Sequence, residues 1–493
     1  MTGHTKDLRW ARRSRATVPV LLLAGSLCLA PAVAQASGLD APMVGSGQSG
    51  PASADAGAVF WNPAQLAFIQ RKSLQLGLGL VSGRVGYQRI RQGQYQTPDT
   101  FRFKTPLDPD SVDPGKIGPA GEVTATPFSP IGDAFVAIPV VPDRVVVGAG
   151  VYVPYAAALK FPEEGPQAWQ LRQALIAASF VTASAGVQLT QRLSVGAGLS
   201  YVGGVAELSK LQDFGSLEEF QRAFSEDPIN QPNDFGPNAP SEVRELEVLS
   251  RSISIKNGLS NGFSFNLGVA FRPTDSLNLG LSYQHSAPMR YVGKFAIDMN
   301  DAFFTQDLAA QGLQYKPLVE GDATLSFTLP KRLSLGAAYD VSASLRVDGF
   351  IQYATYSDID AFLVRTQSPD LAQPRLGLGD EVLVRLPRNW NNTLWVEASA
   401  RYRLLSSLQG SVTVGYQSSA SPDSTIDVAS PDGHRFIGGL GAVYSFSESV
   451  ALSADVRLQG ILPRTVTTSD HDLGNGRYTL FIAAAGGHLR MMF

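Results

Sequence analysis

Residues 449–460 read SVALSADVRLQG, and their rhythm constrains the fold more than any other feature of the chain. Val450, Leu452, Ala454, Val456 and Leu458 are apolar. Ser449, Ser453, Asp455, Arg457 and Gln459 alternate with them and are polar, while Ala451 is neutral. A period of two places the sets on opposite faces of a strand. The same phase recurs at Leu345, Val347, Gly349, Ile351 and Tyr353 against Ser344, Arg346, Asp348 and Gln352. It recurs again at Leu394, Val396, Ala398, Ala400 and Tyr402 against Glu397, Ser399, Arg401 and Arg403. A face that carries whole Arg and Asp side chains meets water or partners, not a dry core.

Such segments cover 73–91, 125–141, 143–157, 172–190, 192–209, 248–272 and 276–299. They continue over 318–340, 343–362, 382–404, 407–420, 433–447, 449–465 and 475–493, fourteen in all. Short turns at 142–143, 190–191, 273–275, 341–342, 405–406 and 447–448 alternate with long polar or Pro-rich connections. Fourteen antiparallel strands with both termini on the short-turn side give this pattern. An even strand number, alternating loop lengths and an apolar-out, polar-in rhythm describe an outer-membrane β-barrel. Closure is required because lipid offers no partner for free backbone groups.

Phe271, Tyr339, Tyr402, Tyr444 and Phe446 cluster beside the short turns, where an aromatic girdle belongs. Counting back by twos from Phe493 gives Met491, Leu489, Gly487, Ala485, Ala483 and Phe481, all apolar or small. Arg490 and His488 point the other way. A soluble propeller or sandwich array is disfavoured, because the chain shows no such repeat and its connections alternate short and long.

The chain opens with Lys6, Arg9, Arg12, Arg13 and Arg15, then the run VPVLLLAGSLCLA and the small-residue site Ala34-Gln35-Ala36. These mark residues 1–36 as a secretory signal peptide. Cys28 lies within that run behind Leu27, not behind the small residue of a lipoprotein signal. A mature chain from Ser37 then has no cysteine. Removing five positive charges and one negative leaves a net charge of −7, which favours no nucleic-acid partner. The expected domains are the signal peptide, a plug at 37–72 and a barrel at 73–493.

The plug follows from GAVFWNPAQLAFI at 57–69, bulky and apolar yet outside any strand pattern. A barrel of fourteen strands is wider than its own inward side chains fill. Phe60, Trp61 and Phe68 are expected to bury against the inner wall, with Pro63 fixing a turn. The fold class expected is all-β: a transmembrane antiparallel β-barrel of about fourteen strands with an N-terminal hatch in its lumen.

The stretch SGLDAPMVGSGQSGPASADAGAVFWNPAQLAFI, with Asn62, Pro63 and Ala64 after a Gly/Ala/Asp-rich run, resembles the hatch of the FadL/TodX transporters. LGLSYQHSAPMRYVGKF and GDATLSFTLPKRLSLGAAYDV add to the likeness, which spans essentially the whole mature chain. The resemblance implies a monomeric outer-membrane channel, inserted by the barrel assembly machinery and without cofactor or metal. Its expected cargo is a hydrophobic small molecule, a long-chain fatty acid or an aromatic hydrocarbon. Ligand is caught in an outer-loop groove, held above the hatch and released sideways into outer-membrane lipid beside a kink in the third strand.

In this chain that strand is RVVVGAGVYVPYA, 144–156, with Gly148, Gly150 and Pro154 as the candidate kink. Pro154 has two readings, a break in the ladder or the strand's outer end, since proline donates no ladder hydrogen bond. In the loop after the fifth strand, Ser216 and Glu219 are spaced as a capping box. Leu217, Phe220 and Phe224 then share one helical face, which lines an entry groove or packs on its own loop. Arg346, Arg401 and Arg403 are candidate carboxylate contacts, or else members of a wall network with Asp348 and Glu397.

Two other functions compete. A general porin needs an open lumen, which the plug opposes. An outer-membrane lipid-modifying enzyme needs a Ser–His or Asp–His pairing. The mature chain offers His285, His434, His471 and His488, and Ser286 beside His285 points to the opposite face of its strand.

Overall fold

At the depth of a bilayer every backbone N–H and C=O needs a partner within the protein, and this chain supplies them by closing one sheet on itself. The computed structural model describes residues 40–90, 121–213, 250–310, 312–376, 379–470 and 472–493. The expected signal peptide and the loop helix carrying Leu217, Phe220 and Phe224 lie outside the described residues.

The barrel opens with β1 (Ser73–Arg89), β2 (Glu122–Ala125) and β3 (Phe128–Val141). Long strands follow: β4 (Val145–Lys160), β5 (Gln173–Gln188), β6 (Leu193–Asp213) and β7 (Ser250–Phe271). The middle of the chain gives β8 (Leu277–Gln284), β9 (Pro288–Asp298), β10 (Leu318–Thr328) and β11 (Arg332–Asp340). Next come β12 (Leu345–Ala354), β13 (Ala361–Gln367), β14 (Glu381–Pro387) and β15 (Thr393–Arg403). The last four are β16 (Leu408–Gln417), β17 (Arg435–Ser445), β18 (Val450–Val466) and β19 (Gly476–Met492). Neighbours pair antiparallel around the ring, and β1 closes it against β19, with Leu76 opposite Leu489. The six short turns fall where the sequence places them.

These nineteen segments make fourteen spans because five spans are interrupted, a feature the apolar rhythm does not reveal. Pro127, Pro288, Pro330 and Pro387 border four of the breaks, each removing a donor from the ladder. Four breaks fall along one hydrogen-bonded row, in which Gln284 opposes Arg332, Arg332 opposes Ala354, and Ala354 opposes Thr393. Below this row β8, β11, β12 and β15 pair in order; above it β9, β10, β13 and β14 do.

The two faces divide as the alternation requires. Leu452, Val456 and Leu458 are exposed on the outside of β18, and Leu78 on β1 is 79% exposed. All five girdle aromatics, Phe271, Tyr339, Tyr402, Tyr444 and Phe446, are exposed at the short-turn end. Ser453, Asp455, Arg457 and Gln459 are buried on the inner side. The polar face therefore meets neither lipid nor open water; it meets residues 40–68 of the same chain.

Candidate functional site

Residues 40–72 have too few apolar groups to fold alone, and they find their partners on the wall. Ala58–Trp61 forms a single α-helical turn, α1, and Pro63–Phe68 a 3-10 helix with Pro63 at its first position. Asn62 is wholly buried between them. Its side-chain oxygen accepts from Ala64 N–H at 3.1 Å, capping the second helix. Its amide donates to Pro51 O at 3.0 Å and to Val269 O of β7 at 3.2 Å. Asparagine is suited to this position because one short side chain presents both an acceptor and a donor.

The wall makes room by omitting side chains. A Cβ at Gly268 would lie 2.0 Å from the Asn62 oxygen, and one at Gly196 would lie 2.4 Å from Ala64 N. Beside these glycines, Ser194 Oγ donates to Ala64 O at 2.8 Å, Asn266 donates to Val59 O at 2.9 Å and Asn278 donates to Ala52 O at 2.8 Å. Wall donors are thus matched to carbonyls of the inner segment. Phe60 and Trp61 are buried as the sequence suggests. Phe68 is only partly so, lying under the Arg272 guanidinium at 3.7 Å.

Above α1 the lumen is aromatic. Phe60 packs edge-on to Tyr152 at 5.1 Å, and Tyr152 stacks on Phe135 at 5.5 Å and on Phe180 at 5.7 Å. On the other side Trp61 meets Phe350 at 5.4 Å, and Phe350 meets Trp395 at 5.0 Å. One cavity is lined by Phe60, Tyr152, Tyr155, Phe180, Ala287 and Leu329. A second reaches from Phe60, Trp61 and Trp395 to Asp40 and Arg332. Both include Pro154.

At Pro154 the wall is discontinuous. Pairing of β3 with β4 ends at Ala134 opposite Val151, while β3 continues along β1 to Phe128. On its other side β4 shifts register against β5 between Tyr152 and Tyr155. From Tyr155 to Lys160 the strand pairs with β5 alone. Residues 40–41 occupy the vacated edge from inside: Asp40 bridges Tyr155, and Ala41 N–H donates to Pro154 O at 2.9 Å. A cavity lined by Met43, Val44, Leu78, Ile131 and Val153 lies behind the gap. Pro154 thus lies within the register shift of β4 against β5 and beyond the end of its pairing with β3.

Gly148 and Gly150 do not belong to that break. They sit in the continuous ladder opposite Ala137 and Phe135. A Cβ on Gly148 would meet Val59 at 2.7 Å, and one on Gly150 would meet the Phe135 ring at 2.5 Å. Their absent side chains admit neighbours and do not weaken the wall.

The candidate carboxylate contacts are also redistributed. Arg401 and Arg346 both pair with Asp348, and Arg401 donates to Gln48 O as well. Glu397 pairs with Arg457, which donates to Pro42 O at 3.3 Å. Arg403 is exposed, its N–H bonded to Ser344 O near the short turns, away from the aromatic lumen. Arg346 and Arg401 are thus engaged by Asp348 of the wall. Arg332, which opens β11, lines the same cavity as Arg457 and is not among the cations that the sequence pattern singles out. The signal was available: Arg332 shares the inward parity of Ser334 and Ala338, but a preceding Leu-Pro-Lys resembles a turn.

The histidines are held by neighbours. His285 Nδ1 bonds Tyr283 OH at 2.8 Å, His434 Nδ1 bonds Tyr416 OH at 2.7 Å, and His488 meets Asp133 at 3.3 Å. The same Asp133 oxygen accepts from Gly45 N–H at 3.0 Å.

A fourteen-span barrel, filled from within by its own N-terminal residues and broken beside an aromatic chamber, defines an outer-membrane transport protein by architecture. The chain belongs to the outer membrane protein transport family (OMPP1/FadL/TodX), whose family model matches residues 27–486. A Neisseria meningitidis serogroup B protein whose name assigns it to the outer membrane is 22% identical over 434 residues, spanning 85% of this chain and 84% of its own. The fold is similar to that of a Pseudomonas aeruginosa FadL homologue, with a TM-score of 0.68 at 19% identity over 94% of this chain and 98% of that one. It is also similar to the Pseudomonas putida toluene transporter TodX, with a TM-score of 0.60 at 16% identity over 91% and 97%. The protein is thus placed in the bacterial outer membrane.

Proposed function

We propose that the protein is a channel for passive uptake of hydrophobic compounds, long-chain fatty acids or aromatic hydrocarbons, with lateral release into the membrane. The observation that carries this reading is the wall break at Pro154 beside the aromatic chamber. An apolar ligand gains free energy on leaving water, about 0.8 kcal/mol for each buried methylene. A sideways path keeps that gain, whereas a downward path into the periplasm forfeits it.

In this reading residues 1–36 direct export, 37–72 act as a hatch and 73–493 form a monomeric barrel inserted by the assembly machinery. The face of Leu217, Phe220 and Phe224 concentrates ligand at the outer loops. Ligand then settles against Phe60, Tyr152 and Phe180. Movement of residues 40–44 away from the β4 edge uncovers the gap, through which ligand reaches lipid. TodX is named as a toluene transporter, which supports the aromatic branch of the cargo without deciding it. An open porin is disfavoured by the filled lumen, and His285, His434 and His488 are bonded to Tyr283, Tyr416 and Asp133.

The test is uptake of radiolabelled dodecanoate and toluene by cells lacking their own transporters of this family, with and without this protein. Accelerated uptake of either, together with low ion conductance in planar bilayers, supports the reading. High conductance with no gain in hydrophobe uptake overturns it.

A further inference from the structure

We infer that Asp40 occupies a carboxylate receptor built around Arg332, and that the carboxylate of an amphiphilic substrate competes with it for that site. The inference rests on the transport reading and adds a choice of substrate class and the residue that sets its threshold.

Asp40 is 5% exposed and Arg332 4% exposed, and they form an ion pair between Asp40 Oδ1 and Arg332 Nη2. Gln417 donates to the other carboxylate oxygen at 3.3 Å. The guanidinium lies over the Tyr155 ring at 4.4 Å, so an aromatic face holds it in place. Arg435, wholly buried, adds a second positive charge within electrostatic reach of Asp40. Arg332 Nε is buried and makes no hydrogen bond among the described residues, so the guanidinium keeps unused donor capacity for a planar anion.

Stability alone is a weak reason for such a group. A buried ion pair costs about as much in desolvation as it returns, and apolar residues of equal volume often do as well. This one joins two separate parts of the chain, Arg332 of the wall and Asp40 of the inner segment, in a cavity that also holds the Glu397–Arg457 pair. The inner segment meets the wall there through the Asp40 bridge at Tyr155, the Ala41 hydrogen bond to Pro154 O and the contacts of the Asp40 carboxylate with Arg332 and Gln417. The cavity beside the pair shares Phe60 and Pro154 with the apolar chamber. A ligand whose chain lies against Phe60 and Phe180 therefore brings its head group to Arg332. A carboxylate there reproduces what Asp40 supplies; an alcohol or a hydrocarbon leaves the guanidinium with Asp40.

The test uses the full barrel in detergent and three probes, dodecanoate, 1-dodecanol and toluene, read by tryptophan fluorescence and by displacement of a labelled fatty acid. The quantity compared is the dodecanoate-to-dodecanol affinity ratio. In Asp40→Asn the ratio should rise at least tenfold, because the internal competitor loses its charge. In Arg332→Gln it should fall at least tenfold, and Arg332→Lys, which keeps the charge, should recover part of it. Heat-modifiable migration on gels reports folding of each variant. If Arg332→Gln fails to fold, Asp40→Asn and Arg332→Lys decide the matter. Equal ratios, within twofold, in folded wild type and Asp40→Asn overturn the inference and make the pair a structural staple. Binding of dodecanol and toluene with no carboxylate preference also overturns it while leaving the transport reading intact. Failure of all three probes to bind overturns both.

Discussion

The side-chain amide of Asn62 donates to the carbonyl of Val269, 207 residues away in the sequence. A turn of the inner segment is thereby written into the hydrogen bonding of the barrel wall. Asn62→Ala would leave Ala64 N–H without its cap and remove one donor each from Val269 O and from Pro51 O, which keeps Gln65, at about 1–3 kcal/mol for a buried group left unpaired. The barrel ladder is untouched, so the variant should insert normally yet show raised conductance in planar bilayers and lower hydrophobe uptake. Unchanged conductance would mean the segment is held by other contacts.

Gly268 tests the same contact from the wall. Gly268→Ala places a methyl group 2.0 Å from the Asn62 oxygen, and the segment must shift to admit it. Gly460→Ala is the control, since nothing lies within 4 Å of its added Cβ. Conductance should rise in the first and stay at the wild-type value in the second.

Arg457 and Glu397 form a pair that bridges β18 and β15 beneath Pro42. Arg457→Leu strands a buried carboxylate and should cost about 3–5 kcal/mol, whereas the double change with Glu397→Leu should recover most of it. The midpoint of heat-induced unfolding, followed by gel migration, reports both. Equal loss in the single and double variants would assign the cost to the contact with Pro42.

The wall break gives a fourth expectation. Pro154→Val restores a backbone donor where β4 shifts against β5 and should draw the strand toward a continuous ladder. Uptake should fall several-fold while dodecanoate binding persists. Pairing this change with Gly148→Val is unsuitable, because that side chain would strike Val59 and Leu66 of the inner segment. Normal uptake by Pro154→Val would place the exit elsewhere.

Strand parity was legible because lipid and lumen impose opposite chemistry on alternate residues. Ser453, Asp455 and Arg457 point inward as their spacing requires. Asn62-Pro63-Ala64 was legible as a turn because its residues carry their own cap. The breaks at 285–287 and 388–392 were not, since their cause is registration among four neighbouring strands, which one strand's rhythm does not contain. The packing role of Gly148 is hidden in the sequence for a related reason: what a missing side chain makes room for depends on its neighbour, here Val59. Arg346 and Arg401 stand out in the sequence because each lies inside a clear alternation, whereas Arg332 lies at the foot of a Pro-marked break.

The row through Gln284, Arg332, Ala354 and Thr393 makes this side of the barrel two stacked collars. The lower collar is fixed by the thickness of the bilayer and by the girdle aromatics. The upper one, β9, β10, β13 and β14, pairs within itself and, through β9, with the long strand β7, and it carries the loops above. Selection can therefore exchange the upper collar, and with it the vestibule a ligand first meets, while membrane insertion stays with the lower. An engineer altering cargo preference has the same seam to cut along, with Arg332 lying on it.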